Sequence, residues 1–242
     1  MTGTTAPFAR QLDLPGQSAV AEGPHDQTGM YVMHHALRRD LAAFVAAVPA
    51  TPVPDAATWT ALARRWQRFA DVLHHHHTAE DEAYWPVLQR AVTERGTADD
   101  RAEVAAMAQE HAGIDPSLVA CRTAMAAMVE HPCEAHRNAV AVRVTALREL
   151  LEEHLGHEEG VVLPMIQRVM TAEEFAEAEA AVTKYYPPRD AWFLVPWALH
   201  GLPPHAAARM LAMAGPVYGV VHRFARGGFA RRERAAFRWA GC

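Results

Sequence analysis

The chain has 242 residues, a formal net charge of -5 and 15 histidines. Half of the residues are hydrophobic and 21% are charged, a balance that excludes a wholly disordered chain. The slight acidity gives no support to a dedicated nucleic-acid-binding protein. Three cysteines without Cys-x-x-Cys spacing argue against a disulfide framework and a cysteine-based zinc site. With no recognisable secretory signal or membrane-spanning run, we expect a soluble cytoplasmic protein without a membrane partner.

Apolar residues recur at helical spacing in four long segments, and each break between the segments contains proline, glycine or a capping residue. A Thr-x-x-Glu capping box at Thr171 predicts a short fifth helix. No segment alternates with the period of a β-strand. We therefore predict an all-α protein built on an antiparallel up-down four-helix bundle over residues 26–184. The predicted long helices span about 28–48, 55–94, 97–130 and 132–170.

The two ends of the chain differ in composition from the predicted bundle. Residues 1–25 are rich in glycine, proline, threonine and glutamine, which predicts a flexible leader. Residues 185–242 contain paired prolines and three tryptophans, which predicts a C-terminal extension with short helices. From Gly201 onward this extension has seven arginines and one acid, Glu233. A basic tail could bind an anionic partner, but its aromatic residues favour packing against the acidic bundle.

Histidine interrupts the apolar stripe of each of the four predicted helices. His34 and His111 fill single gaps in the first and third stripes, whereas the second and fourth stripes carry both histidine and glutamate. A single histidine on an apolar face is more often a hydrogen-bonded core residue than a metal ligand. Histidine on the core stripe of all four helices would require four independent coincidences in helical phase. A shared metal site explains all four positions at once.

Two His-x-x-x-Glu pairs, His76 with Glu80 and His154 with Glu158, place an imidazole and a carboxylate one turn apart on one helix face. Burying these groups without partners would be prohibitive, because an isolated charge is poorly solvated inside a protein. Cations bridged by carboxylates and capped by imidazoles remove this cost. His77 also faces inward, three residues before Glu80, and could either complete the ligand set or donate a hydrogen bond beside it. Imidazole and carboxylate ligands without thiolate suit iron or manganese better than structural zinc.

Several motifs in these helices resemble the hemerythrin-like, or HHE cation-binding, family over roughly residues 28–170. The motifs are Val-Met-His-His-Ala-Leu-Arg-Arg-Asp (32–40), His-His-Thr-Ala-Glu-Asp-Glu-Ala-Tyr-Trp-Pro (76–86), Glu-His-Ala-Gly-Ile-Asp (110–115) and Leu-Glu-Glu-His-Leu-Gly-His-Glu-Glu-Gly-Val-Val-Leu-Pro (151–164). The resemblance implies two non-haem irons with an oxo or hydroxo bridge inside the bundle, manganese being the less suitable metal. It implies ligands at His34, His76, Glu80, His111, His154 and Glu158.

The chain departs from the oxygen-carrying hemerythrins at two of their ligands. Those carriers have a second histidine where this chain has Asp115. They also have His-x4-Asp where this chain offers Glu158 or, one residue later, Glu159. Glu158 is the better candidate because it shares the phase of the apolar stripe. The departures favour the branch that handles iron, oxygen, peroxide or nitric oxide over reversible oxygen carriage.

Residues beside the candidate ligands could donate hydrogen bonds to the centre or orient its imidazoles. For the two tyrosines among them, packing in the core is the favoured role. These neighbouring candidates are Tyr31, Tyr84, Asp81, Glu110, Asp115 and Glu159.

The resulting hypothesis is a di-iron protein that binds and processes or senses dioxygen, hydrogen peroxide or nitric oxide. Turnover would make it a peroxidase-like, catalase-like or nitric-oxide-related enzyme. The alternative is an iron or oxygen sensor, or an iron-binding protein, that acts through a partner without turnover. A third interpretation, a metal-free bundle, would leave many buried polar groups unpaired. The sequence predicts no broad pocket for an organic substrate, and it identifies neither catalytic residues nor an electron donor.

Overall fold

The computed structural model describes residues 10–241, which contain helices and no β-strand. The predicted all-helical class is confirmed. No helix in this range is both long and apolar enough to cross a bilayer. Two π-helical turns, Glu80–Tyr84 and Glu158–Val162, interrupt the second and fourth long segments. The α-helices are α1 (Thr28–Ala50), α2 (Ala56–Ala79), α3 (Trp85–Arg95), α4 (Ala98–Glu130), α5 (Glu134–His157), α6 (Leu163–Val169), α7 (Ala172–Val182), α8 (Ala191–Leu199), α9 (Pro204–Ala214) and α10 (Pro216–Ala236).

Capping side chains fix where several of these helices begin. Thr97 and Asp100 form a reciprocal capping box at the start of α4. Thr171 and Glu174 form the same box at α7, where the capping pattern predicts the fifth helix. α1 continues two residues beyond its predicted end and includes Pro49. A proline in the last turn removes only one backbone hydrogen bond, so the helix tolerates it there.

Two apolar clusters fill the interior. The first cluster contains Leu37 and Leu151, and the second contains Val32, Met107 and Val162. α1 packs on α2 and α5, and α4 packs on the same two helices. Along the chain, α1 and α4 pass from the second cluster to the first. In the opposite order, α2 lies in the first cluster and continues into α3 in the second, and α5 lies in the first and continues into α6 in the second. Each of the four contributes histidine where it passes between the clusters, so a polar layer separates them.

Part of the predicted flexible leader packs against the helices. Residues 1–9 lie outside the described residues, but Leu12, Leu14 and Ala21 are buried in the second apolar cluster. The backbone N–H of Ser18 donates to Oε2 of Glu159 at 2.7 Å. Composition alone predicts a loose segment here, whereas a few well-placed apolar side chains are enough to hold it on the surface of the bundle.

Helices α8 and α10 of the C-terminal extension attach to the long helices through a buried polar network. The indole of Trp197 donates to Oδ2 of Asp40 at 2.7 Å, and Nη2 of Arg65 donates to the same oxygen at 2.5 Å. Nε of Arg65 donates to Oε1 of Glu233 at 2.5 Å. Burial would raise the pKa of Asp40, but Arg65 and Arg39 outweigh it and lower that pKa. The network joins α1, α2, α8 and α10.

We expect Asp40→Ala to lower the free energy of unfolding by about 3–5 kcal/mol, because it removes a charged partner of the buried Arg65. Urea unfolding followed by circular dichroism measures the change. Glu177→Ala is the control, since Glu177 forms an exposed pair with Arg90 and should change stability by less than about 1 kcal/mol. Equal midpoints for the two variants would contradict a stabilising role for the network.

Candidate metal centre

The polar layer brings together all seven side chains that the sequence identifies as candidate ligands. Ligand atoms within each of two groups lie within 4.8 Å of one another. A metal ion with ligands at about 2.1 Å separates neighbouring donors by about 3 Å and opposite donors by about 4 Å. Both groups therefore have the dimensions of a coordination sphere. One group is His34, His76, Glu80 and Glu158, and the other is His77, His111 and His154.

Glu80 lies between the two groups of histidines. Its Oε1 is 3.3 Å from Nε2 of His76, and its Oε2 is 3.6 Å from Nε2 of His111. One carboxylate thus presents an oxygen to each group.

Glu158 occupies the corresponding place on the other side of the layer. Its Oε2 lies 3.2 Å from Nε2 of His34 and 4.0 Å from Nε2 of His154. The two glutamates are therefore placed as bridging ligands would be.

Each of the seven side chains has at least one buried nitrogen or oxygen atom without a hydrogen-bond partner among the described residues. Both carboxylate oxygens of Glu80 and of Glu158 are in this state, as are both ring nitrogens of His77. Close contacts such as that between His34 and Glu158 lack hydrogen-bond alignment. Unpaired polar atoms are expensive to bury. Their convergence fits a bound cation, which would satisfy several of them at once.

Three histidines are oriented by carboxylates behind them. In each case Nδ1 is held by a carboxylate oxygen, so the unpaired Nε2 faces the polar layer. This arrangement is common around metal-binding imidazoles because it fixes both the tautomer and the orientation of the ring. The pairs are His34 with Glu159 at 2.9 Å, His111 with Asp81 at 2.9 Å, and His154 with Glu110 at 2.8 Å.

Arg38 completes the surroundings of Glu159 and was not among the residues identified from the sequence. Its Nη1 and Nη2 donate to the two oxygens of Glu159 at 2.6 and 3.1 Å. Burial would raise the pKa of Glu159, but His34 and Arg38 outweigh it and lower that pKa. The spacing of Arg38 one turn after His34 is the sequence signal that could have identified it.

Both π-helical turns begin at a glutamate of the polar layer. The backbone N–H of Trp85 donates to the carbonyl of Glu80, and that of Leu163 donates to the carbonyl of Glu158. In each segment a proline follows the glutamate by six residues and lacks the N–H that an α-helical ladder needs. A π-turn accommodates one extra residue, and such turns often mark functional sites. The repeated Glu-x5-Pro spacing was the available sequence signal.

The histidines of the layer differ in their affinity for protons. Burial, together with the neighbouring imidazole of His34, lowers the pKa of His76 to about 3. Burial also lowers the pKa of His77 and of His154. These rings are neutral at pH 7, which is the form that binds metal. Burial disfavours a charged His34, but Glu158 and the adjacent carboxylate behind the ring raise the pKa of His34 to about 9.

The two glutamates are shifted in opposite directions. Burial and the nearby carboxylate of Glu158 raise the pKa of Glu80 well above its usual value. Burial acts in the same direction on Glu158, but His34 outweighs it and lowers the pKa of that carboxyl. Without a cation, these shifts favour the protonated form of Glu80 and the charged form of Glu158.

The remaining candidate neighbours lie at different distances from the layer. Tyr84 is buried, and its ring packs against Trp85 and Phe175. Tyr31 is also buried, but its hydroxyl accepts a hydrogen bond from the backbone of Ala21. Asp115 lies on the surface, where Oδ1 is 3.9 Å from Nδ1 of His74. The structure does not bring Asp115 to the metal centre, because the helical phase of α4 turns it outward.

A hydrogen-bonded chain connects His154 with the surface. Glu110 accepts from Nδ1 of His154 through one oxygen and from Nδ1 of His157 through the other, at 2.8 and 2.7 Å. Nε2 of His157 lies 2.9 Å from Oε2 of the half-exposed Glu103. Burial would lower the pKa of His157, but Glu110 and Glu103 outweigh it and raise that pKa. The link through Glu103 was not predicted, since it depends on the packing of α4 against α5.

The all-helical fold and the clustered histidines and glutamates define a cation-binding protein. The chain matches the Hemerythrin HHE cation binding domain over residues 26–166, more than half of its length, and it belongs to this family. The expected resemblance is therefore confirmed. No significant match was found among curated proteins or among solved structures.

We expect Glu110→Ala to weaken metal binding by about 10- to 100-fold, because it removes the carboxylate that orients His154. Competition with a chromophoric chelator measures the affinity. Glu103→Ala is the matched control, since Glu103 contacts His157 and not a candidate ligand. If the two variants bound metal equally well, orientation by Glu110 would have no part in affinity.

Acid should destabilise the metal-free protein through its neutral buried histidines. Unfolded His77 takes up a proton with a pKa near 6.5, whereas burial lowers the pKa of His77 in the folded state. The free energy of unfolding therefore falls as the pH drops below about 6.5. Between pH 7 and pH 5 we expect the wild type to lose about 2 kcal/mol more than His77→Leu. Urea midpoints in the presence of chelator measure this loss. The exposed control variant His75→Leu should lose as much stability as the wild type. Identical losses for His77→Leu and the wild type would contradict the prediction.

Proposed function

We propose that this protein is a non-haem di-iron protein that binds small oxidants, namely dioxygen, hydrogen peroxide or nitric oxide, and reduces them. The observation that carries this proposal is the convergence of unpaired imidazole nitrogens and carboxylate oxygens in one buried layer. Oxygen and nitrogen donors without thiolate suit iron, and manganese less well. Membership of the HHE family supports a cation in the same place.

The proposed frame is an antiparallel up-down four-helix bundle formed by α1, α2 with α3, α4, and α5 with α6. The alternating direction in which the long helices pass between the two apolar clusters supports this topology. Their mutual packing forms a closed ring. In such a bundle every helix presents one stripe to the interior, so four short sequence motifs can form one centre.

Two cations are proposed because the ligands fall into two groups. His34 and His76 belong to one group, and His77, His111 and His154 belong to the other. Glu80 and Glu158 face histidines of both groups and would bridge the cations. Seven protein side chains would hold the two cations without filling all their coordination positions, which would leave room for a small exogenous ligand.

Bound iron would supply the electrons that reduction of an oxidant requires. The chain supplies the surroundings: two apolar clusters that keep bulk water away, and neutral imidazoles of His76 and His77 that present lone pairs. Reduction of peroxide to water also consumes two protons. The hydrogen-bonded path through Glu110, His157 and Glu103 can bring protons from the surface to Nδ1 of His154.

A sensor without turnover is the second candidate function. The outer side of α10 exposes Val217, Val220 and Phe224, which are 69%, 57% and 69% accessible and share one helix face. An exposed apolar face on a basic helix suits contact with a partner protein. Metal binding would stabilise the bundle on which α10 packs and so influence that contact.

A cytoplasmic location belongs to the same proposal. Cys121 and Cys133 are free thiols, which fits a reducing compartment. We propose no nucleic-acid or membrane partner. The expected partners are a diatomic or peroxide ligand and an electron donor.

Iron loading tests the proposal directly. We expect two irons per chain, with an absorption band in the near ultraviolet that bleaches on reduction. Glu80→Ala should bind one iron or fewer, because Glu80 faces both groups of ligands, whereas exposed Glu82→Ala should retain two. Elemental analysis and iron K-edge spectroscopy give the number of metals and whether they are adjacent.

An iron content well below two in the wild type, with no such band, would exclude a di-iron centre. Steady-state consumption of hydrogen peroxide then distinguishes the two candidate functions. An enzyme should exceed the rate of free iron and lose this excess in Glu80→Ala. A sensor should match free iron in both proteins.

A further inference from the structure

A cavity of about 500 Å³ adjoins the metal centre, although the sequence predicts no broad pocket. His76, Glu80 and Tyr84 form part of its wall, so the cavity reaches the polar layer from the side of α2. This volume lies within the range of about 300–1,000 Å³ that is typical of small-molecule sites. Its walls come from helices far apart in sequence, which explains why no local pattern predicts it.

The cavity is too large and too apolar for an oxidant alone. One water molecule takes about 30 Å³ of liquid volume, so a diatomic molecule would leave most of this space empty. An apolar wall gives water few hydrogen-bond partners. Apolar side chains that line it include Met30, Met33, Leu163, Leu194, Val195 and Met210.

The outer wall is built by residues beyond the matched domain. The family match ends at residue 166, whereas the wall includes Leu194 of α8, Met210 of α9 and Tyr218 of α10. The C-terminal extension therefore closes over the metal layer and forms a chamber with it. Met213 and Tyr218 also line the cavity and are 48% and 41% exposed, which gives its opening an apolar rim.

Two polar side chains mark one part of the wall. Glu179 lines the cavity, is exposed to solvent and has no hydrogen-bond or ion-pair partner among the described residues. Tyr186 also lines the cavity. Together they offer hydrogen bonds to one polar group on an otherwise apolar ligand.

We propose that this chamber binds a neutral, mainly apolar organic molecule with a single hydrogen-bonding group, placed beside the metal layer. The apolar walls would cover the body of the molecule, and Glu179 or Tyr186 would bind its hydroxyl or amine. A role for this molecule as a substrate or effector of the metal centre rests on the proposed function. Its binding in the chamber does not, because the walls exist independently of a cation.

Fluorescence of N-phenyl-1-naphthylamine, a neutral apolar amine, tests the proposal on the full chain. Titrations use iron-loaded protein and protein kept metal-free with chelator. We expect saturable binding of one probe per chain in both states. Gly29→Leu should weaken binding at least tenfold, because Gly29 lines the cavity and a Cβ atom there meets no other atom within 4 Å.

Gly227→Leu is the matched control. Gly227 lies in α10, is exposed, and also has open space around a Cβ atom, but it does not line the cavity. Met210→Trp fills the chamber from α9 and should also weaken probe binding, so it serves as the test if Gly29→Leu fails to fold. Iron content should be unchanged in all three variants.

Absence of saturable binding to the wild type would overturn the proposal, as would equal affinity of the chamber-filling variants and the control. Binding that disappears with the metal would place the probe on the cations and would also overturn it. Saturable binding to wild-type protein that fails to take up iron would leave the chamber established and refute the proposed di-iron function. The two proposals can therefore fail separately.

Discussion

The structure depends on how seven buried imidazole and carboxylate side chains are neutralised between two apolar clusters. Water cannot reach most of their ligand atoms, and protein partners satisfy only the outer nitrogens of three rings. Burial lowers the pKa of His76, His77 and His154 and raises that of Glu80, so it favours the neutral form of all four side chains. Without a cation, the adjacent carboxylates favour a charged His34, whereas burial favours a neutral His76 beside it. Bound cations would give the same atoms a partner and would remove the cost of burying them.

The helices show the same constraint in their backbone geometry. Glu80 and Glu158 each begin a π-helical turn, and the acidic residue that follows each glutamate reaches a histidine of another helix. One glutamate therefore faces the centre while its neighbour, Asp81 or Glu159, stands behind an imidazole. A proline six residues after each glutamate prevents the regular α-helical ladder from continuing. The same arrangement of glutamate, acidic neighbour and proline therefore occurs twice, once in each of two long helical segments that face each other across the polar layer.

Much of the site was predictable because helical periodicity determines which residues share a face. His34 and His111 stood out as polar interruptions of apolar stripes, and the His76–Glu80 and His154–Glu158 spacings placed both members of a pair inward. The choice of Glu158 over Glu159 followed from helical phase, and the structure brings Glu158 to the layer while Glu159 holds His34. These are properties of single helices, which local sequence can reveal.

Features that depend on distant segments were not predictable in this way. Asp115 was expected near the centre from its spacing to His111, but packing turns it toward His74 at the surface. Arg38 and Glu103 acquire their roles only when α5 lies beside α1 and α4. The prediction of a flexible leader rested on composition, which does not show that Leu12 and Leu14 are buried in the second apolar cluster. The chamber beside the polar layer is lined by residues of seven α-helices, so it exists only once they have assembled.

The division of labour between the matched domain and the C-terminal extension has a consequence for how this family could diversify. The ligand-bearing helices and the outer wall of the chamber are contributed by consecutive, non-overlapping parts of the chain. Replacement of α8 and α9 would reshape the chamber, whereas the candidate metal ligands lie in other helices. Under the binding proposed above, sequence changes in these two helices would alter which molecules fit the chamber without changing the candidate metal ligands.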